Sequence, residues 1–404
     1  MTVNTHVAGQ ERQLGELEKS FALRRMALKY ATLAIGRLDL DRLRAAFVAL
    51  TEHNPVLYSR IRQDGEQYAL QLRAAYAVPV EVHAGDPHAF LHEPVRPLDQ
   101  SEHVARLEVV QHDATAAVAI TLNHVVADGN AALALLAELW SDYTALTHGI
   151  DLRGRPPRAI PVGPQHLLDP ADTPPLLLPD AEFLNSATHL NRKSSLPRHT
   201  IVSFTPEQSA EIVDTVHTKG VTVHAAVSGA VLAAERSLID EGGPVPMLSR
   251  CSVDFRALLP TPIPVLDITN AAGIVLTGQF VDRHDAPLML GQRVTDDIRA
   301  RVADRRAIYS SLDPVMSPEM EADLPPISYI SNVGRIPPFE TPADLSITDM
   351  GFGGLGQATN WAMYTVSTYD RQLKLAVTQP ADGITEDAQQ ELVAGIVDRL
   401  RTLH

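Results

Sequence analysis

The sequence holds one cysteine, Cys251, in 404 residues. One thiol closes no internal disulfide and builds no cysteine-rich zinc site, so the chain fits a reducing compartment and Cys251 is expected to be buried. Positive charge is also short. Against 49 Asp and Glu stand 34 Lys and Arg, a formal net charge of −15. That balance argues against a duty on bare nucleic acid or on anionic lipid, both of which call for clustered cations. No apolar run reaches the ~18 residues of a membrane span. The polar opening MTVNTHVAGQERQLGELEKSF lacks the apolar core of a signal peptide. A cytoplasmic protein without a membrane span is expected. G-x-x-x-x-G-K and G-x-S-x-G do not occur, so P-loop and nucleophile-elbow chemistry are unsupported. Short-period repeats and low-complexity tracts are missing too.

What is present is a globular composition, 45% hydrophobic and 21% charged, with length for two or three domains at about 150 residues each. A strand is expected over Tyr30–Leu38, followed by a helix over Asp39–His53. There Leu43, Ala46, Phe47 and Leu50 recur at helical spacing, and Asn54-Pro55 ends the run. Strand pairs follow at Val56–Arg62 with Gln67–Leu72, and at Val104–Gln111 with Ala116–Leu122. A long helix is expected over Asn130–Thr147. Residues 151–198 are too rich in proline for regular structure and read as a crossover. Beyond it, strands and helices alternate again, with helices from Pro206, over Val223–Asp240 and over Thr385–Leu403. Strands are expected at His199–Phe204, Leu248–Val253, Gly273–Phe280 and Ile327–Asn332, and in two runs between Trp361 and Val377. The organisation is therefore an α+β half over residues 1–150, a linker over 151–198 and a second α+β half over 199–404.

Of 16 histidines, His124 alone begins an H-x-x-x-D-G string, ending at Asp128 and Gly129 and lying directly after an apolar strand. A histidine fixed at a strand end, with a pKa near neutrality, can take a proton from a hydroxyl or an amine. The aspartate can lock the loop through an ion pair, and the glycine permits a tight turn into the next helix. Ser331 and Asn332, after an apolar strand, and Asn270 in ITNAAG are candidate oxyanion or substrate contacts. Arg299, Arg301, Arg305 and Arg306 form a basic run on an expected helix, able to dock an acidic carrier protein. His83, His88 and His92 crowd one loop with Glu93, but a solvated loop is the reading, and no metal is expected. Gly351-Phe352-Gly353-Gly354-Leu355-Gly356 matches G-x-G-x-x-G. The run after it alternates as strands, so it is no dinucleotide site. Those glycines are expected to let backbone pass close to an acyl chain or to the other half.

Several segments in order resemble the condensation-domain and chloramphenicol-acetyltransferase-like superfamily, and within it the polyketide-associated acyltransferases of the phthiocerol dimycocerosyl transferase type. They are GRLDLDRLRAAFVALTEHNPVLYSRI (36–61), LNHVVADGNAALALLAELW (122–140), FTPEQSAEIVDTVHTKGVTVHAAVSGAVLAA (204–234), SVDFRALL (252–259), ITNAAG (268–273) and ISYISNVGRI (327–336). The resemblance implies two acyltransferase-like halves with mixed sheets, forming a pseudo-dimer around a central channel. It implies His124 as general base and Asp128 as a structural residue paired with an arginine, for which Arg256 leads and Arg250 follows. It implies no resident cofactor. The acyl donor would be an acyl carrier protein or an acyl-CoA, the acceptor a small-molecule alcohol or amine, and the protein a monomer. Peptide-forming condensation domains commonly carry a second histidine where Asn123 stands here. Single-histidine forms are familiar among ester-forming relatives, so an alcohol acceptor is expected, and Asn123 joins the candidate contacts.

Overall fold

Continuous runs of buried residues mark where this chain builds the centres of its sheets. The computed structural model describes residues 10–73, 77–168, 197–259, 261–305, 308, 327–355, 362–381 and 384–403. It divides into two units, one of Met1–Pro170, Leu259–Ala271 and Pro337–Gln357, the other of Ala171–Leu258, Ala272–Ile336 and Ala358–His404. Two later stretches of sequence thus return to the first unit, a feature that the sequence reading did not contain. The greater part of the 151–198 linker, residues 169–196, lies outside the described residues.

In the first unit the described elements begin with β1 (Glu11–Gln13), α1 (Glu16–Leu23), β2 (Ala27–Gly36) and α2 (Leu40–His53). They continue with β3 (Ser59–Asp64), β4 (Gln67–Leu72), β5 (Val80–His83), α3 (Pro87–Leu91), β6 (Ala105–His112), β7 (Thr115–Asn123) and α4 (Gly129–Thr147), and the unit is joined later by β12 (Leu345–Leu355). A five-stranded sheet runs in the order β12-β2-β7-β6-β5, and β1-β4-β3 form a second. The larger sheet is mixed, because β5 pairs parallel with β6 while the other neighbours are antiparallel. Its central strands are buried on both faces. On one face Ala31, Leu33, Ala117 and Ala119 meet Phe90 and Leu91 of α3. Thr32, pointing the opposite way from its neighbours, takes the indole N–H of fully buried Trp140 from α4 at 3.1 Å.

The α3 face also buries charge. Lys29 Nζ donates to the Phe90 carbonyl at 2.8 Å and lies 3.8 Å above the Phe90 ring, and burial pushes its ammonium down to about 8. Glu108 accepts from Thr121 at 2.6 Å and from Arg106 at 3.2 Å.

Asp39 caps α2 by accepting the Arg42 N–H, as an aspartate at that position should. Pro55–Tyr58 forms a short 3-10 turn and the strand begins only at Ser59, because proline just after a helix end favours that turn over extended pairing. The glycines of the false dinucleotide motif lie in β12, with Gly356 outside the described residues. A Cβ on Gly351 would stand 2.2 Å from the Leu91 carbonyl oxygen, so this glycine lets the end of α3 approach the sheet.

The second unit contributes β8 (Pro197–Ser203), α5 (Pro206–Thr218), α6 (Val223–Ser237), β9 (Val245–Asp254), β10 (Ala272–Val281), α7 (Pro287–Ala303), β11 (Ile327–Arg335), β13 (Ala362–Tyr369), β14 (Gln372–Pro380) and α8 (Glu386–Arg401). Its sheet runs β10-β9-β11-β13-β14-β8 and is also mixed, with β9, β11 and β13 parallel. Ile330, Tyr364, Val366, Leu375 and Val377 share a core with Ala230, Val231 and Ile396 of α6 and α8. Cys251 lies in that core, its thiol pushed up to about 12 by burial. The architecture is α+β with mixed sheets in both units. No helix of the described residues is long and apolar enough to cross a membrane.

Candidate active site

The strand β7 ends at Asn123, and the chain then turns within HVVADG before α4 begins. Asn123 makes that turn. Its Oδ1 accepts the Val125 N–H at 2.9 Å and its carbonyl accepts the Val126 N–H at 3.0 Å. Its Nδ2 donates to Gln100 at 3.1 Å, and the residue is buried. A buried side chain engaged at both ends holds the loop.

Asp128 fixes the other end. As N-cap of α4 its Oδ1 accepts the Ala131 N–H at 2.9 Å, and its Oδ2 accepts the Ala271 N–H at 2.7 Å. Charge-assisted bonds of this kind are stronger than neutral ones, and a helix N-terminus favours the anion. Gly129 serves by its size. Its φ is not left-handed, so the tight-turn expectation does not describe it. A Cβ there would stand 2.8 Å from the Tyr30 hydroxyl, which is the reason for a glycine.

Between these anchors sits His124, partly exposed. Its backbone N–H reaches the Met26 carbonyl at 2.9 Å. Asn270 Nδ2 lies 3.0 Å from the imidazole Nδ1 and donates to the His124 carbonyl at 3.1 Å. The Phe21 ring of α1 stacks on the imidazole, with centroids 4.1 Å apart and planes 4° from parallel. Burial lowers the His124 pKa from its usual value, against opposing pulls from Asp128 and from the carbonyls of residues 124 and 127. The imidazole is therefore neutral near pH 7, the state a base requires. Nδ1 faces Asn270. Nε2 has no hydrogen bond among the described residues.

Two of these partners were not anticipated in their roles. Asn270, expected as a substrate or oxyanion contact, is fully buried against the histidine. Phe21 carries no sequence signal, since aromatic stacking partners have no fixed spacing along a chain. Behind Asn270, Thr269 donates to Glu18 at 2.6 Å. Glu18 is buried and held by both terminal nitrogens of Arg12 at 2.7 and 2.8 Å.

The remaining candidates belong to the second unit. Arg256 follows β9 and its guanidinium reaches Asp254 at 3.3 Å. Ser331 and Asn332 lie inside β11, which continues to Arg335, so they do not follow its end as expected. Ser331 bonds Ser252 at 3.1 Å, and the exposed Asn332 accepts the Gly334 N–H at 2.9 Å across an irregularity in the pairing. Arg299 pairs with Asp296 at 3.1 Å, Arg301 lies on the last turn of α7, Arg305 follows the helix with a left-handed backbone, and Arg306 lies outside the described residues. Arg305 is thus off the helix expected to carry it, because α7 ends at Ala303.

In the first unit, ligand atoms of Glu81, His83 and Glu108 lie within 4.8 Å of one another. Arg96 and Arg106 already neutralise Glu108 at 3.4 and 3.2 Å, which leaves little attraction for a cation.

Residues 193–378 match the family model for the phthiocerol/phthiodiolone dimycocerosyl transferase C-terminus. The chain is 25% identical over 358 residues to the phthiocerol/phthiodiolone dimycocerosyl transferase of Mycobacterium ulcerans, covering 84% of each. Among solved structures it is similar to polyketide synthase associated protein 5 from Mycobacterium tuberculosis, with a TM-score of 0.78 at 21% identity, covering 97% of this chain and 98% of that one. It is also similar to the first condensation domain of the CDA synthetase, with a TM-score of 0.74 at 14% identity over 99% and 97% of the two chains. These likenesses span the chain and share its mixed α+β fold. The chain is thus similar in sequence to the phthiocerol/phthiodiolone dimycocerosyl transferases, and similar in fold to polyketide synthase associated protein 5 and to condensation domains.

Proposed function

We propose that the protein is an acyltransferase that moves an acyl group from a thioester, carried by an acyl carrier protein or coenzyme A, to a hydroxyl acceptor and forms an ester. The observation that carries this reading is His124, neutral, partly exposed and engaged through Nδ1, so that Nε2 is left for a substrate proton. With the Asn270 amide donating to Nδ1 the resting hydrogen sits on Nε2; in the reacting tautomer Asn270 keeps only its bond to the His124 carbonyl, Nδ1 holds the hydrogen, and Nε2 presents a lone pair. The acceptor hydroxyl gives its proton to Nε2 as its oxygen attacks the thioester carbon. The tetrahedral oxyanion collapses, the C–S bond breaks, and the departing sulfur takes the proton back from the imidazolium. No acyl-enzyme forms, so no serine or cysteine nucleophile is needed. The inert, buried Cys251 agrees with that.

Asn123 and Asn270 hold the histidine loop, which leaves Ser331 and Asn332 as the oxyanion candidates of the original set. Asp128 and Gly129 support the motif, and Arg256 supports the segment that follows β9 through Asp254. The relatives whose names say dimycocerosyl transferase favour an acyl donor of the lipid type. A hydroxyl acceptor is favoured over an amine by the turn role of Asn123, which stands where a second histidine would be. Incubation with a panel of acyl thioesters and matched alcohols and amines, followed by mass spectrometry, tests the reading. Ester products are expected, and His124→Ala should lower turnover by roughly 10²–10⁴-fold through loss of the base. Near-normal turnover in that variant refutes the mechanism, and amide products alone refute the choice of acceptor.

A further inference from the structure

We propose that Phe21 is a positioning residue for His124, and that α1 holds the reacting imidazole through two arms. The proposal rests on the role given to His124 above. The first arm is the stack, with centroids 4.1 Å apart and planes within 4°. A flat contact of this kind forbids tilting of the imidazole but allows it to turn within its own plane. The second arm ends at Asn270, whose amide meets Nδ1 at 3.0 Å and the His124 carbonyl at 3.1 Å. That contact forbids turning within the plane but would by itself allow tilting. Only the two together fix the direction in which Nε2 points.

Both arms start on α1. Glu18 and Phe21 stand three residues apart, on one face of a helix. Glu18 takes the Thr269 hydroxyl at 2.6 Å and so sets the position of the adjacent Asn270. The backbone closes the frame on the other side. Met26 N–H donates to the Phe21 carbonyl at 2.9 Å, and the Met26 carbonyl takes the His124 N–H at 2.9 Å. Phe21 and His124 are therefore linked through one intervening residue, and the ring stack inherits that register. The phenyl face also has a role once the proton has moved. An imidazolium above an aromatic ring is attracted by the ring's negative face, whereas an aliphatic filler offers no such attraction.

The test compares Phe21→Leu, which fills space without a ring, with Phe21→Tyr, which restores the ring, and with Thr269→Val, which cuts the other arm and leaves Phe21 alone. Two readouts are taken. One is kcat and KM for the acyl transfer. The other, independent of substrate, is the ring tautomer and titration of His124 in ¹⁵N-histidine-labelled protein, assigned by its loss in His124→Ala. Wild type should show one predominant neutral tautomer. Phe21→Leu and Thr269→Val should each mix the tautomers and lower kcat about tenfold, with KM within twofold. Phe21→Tyr should recover most of both. A wild-type tautomer and kcat in Phe21→Leu overturn the proposal, as does a tyrosine variant no better than the leucine one. If His124→Ala kept its turnover while Phe21→Leu still disturbed the tautomer, the functional reading would fall and the positioning would stand. Loss of turnover in His124→Ala with an undisturbed tautomer in Phe21→Leu would do the reverse.

Discussion

Gly129→Ala isolates the reason for the last residue of the histidine motif. The backbone at this position suits any residue, because its φ is not left-handed. Alanine is the better helix former by up to about 1 kcal/mol, so propensity alone predicts stabilisation. Space predicts the opposite. The new Cβ would stand 2.8 Å from the Tyr30 hydroxyl oxygen, well inside ordinary contact, and Tyr30 is buried on β2. Overpacking of this order costs about 1–3 kcal/mol, which leaves a net loss of about 0–2 kcal/mol after the full propensity gain. The next atom of the tyrosine, Cζ, is at 4.0 Å, an unstrained distance. Removing the hydroxyl should therefore remove the clash. In a Tyr30→Phe background the same alanine should be neutral or stabilising; the propensity gain cancels in the double-mutant cycle, so the coupling should equal the clash itself, about 1–3 kcal/mol. Urea unfolding of the four proteins, at a common slope, measures this. Turnover should follow, since a displaced Gly129 drags the Asp128 cap with it. An equal cost of Gly129→Ala in both backgrounds would show that the hydroxyl is not what the glycine accommodates.

Asp128→Ala removes both the α4 cap, worth about 1 kcal/mol, and a charge-assisted bond to the Ala271 N–H of about 1.5–3 kcal/mol. It should cost more than Asp128→Asn, which keeps an acceptor, and equal losses in urea unfolding would contradict the two-bond picture. The burial of His224 pushes its pKa down to about 4. Between about pH 4 and 6.5 the unfolded chain then binds a proton that the folded chain refuses, so this residue makes stability rise with pH. The difference in urea midpoint between wild type and His224→Gln should accordingly grow by an increment favouring wild type as pH rises across that window; a difference independent of pH would remove the assignment.

The elements easiest to read were those whose burial follows one period. In α2 the buried positions Leu43, Ala46, Phe47 and Leu50 recur at helical spacing, and the capping Asp39 and the stopping Asn54-Pro55 are all local. The runs β6, β7, β13 and β14 show themselves through apolar character alone. What the sequence hid was structure built on buried polar groups. The region of β1 and α1 reads as a polar mixture because Glu18 and Ser20, which are buried, look like surface residues; their burial depends on Arg12 and Thr269. The strand β5 and helix α3 were read as a loop for a similar reason, since His83 and Glu81 lean on the charged residues of β6. The sequence assigns no strand at β12, and its glycines are expected to admit an acyl chain or the other half, whereas Gly351 is small because α3 lies against it.

The site divides along the same line. His124, Asp128 and Gly129 are visible because one short string contains them, but the string says nothing about what orients the imidazole. That is done by Phe21 from one end of the first unit and by Asn270 and Ala271 from the segment Leu259–Ala271. The latter lies within the stretch 193–378 that matches a C-terminal family model, yet it belongs to the unit that carries the histidine. A boundary drawn between residues 150 and 199 therefore separates His124 from the amide that meets its Nδ1 and Asp128 from the backbone N–H that holds it. It also separates β2 from its edge partner β12. The two halves of this sequence are not two halves of its structure, and a histidine motif transplanted without residues 269–271 and Phe21 would keep its letters and lose the direction of its nitrogen.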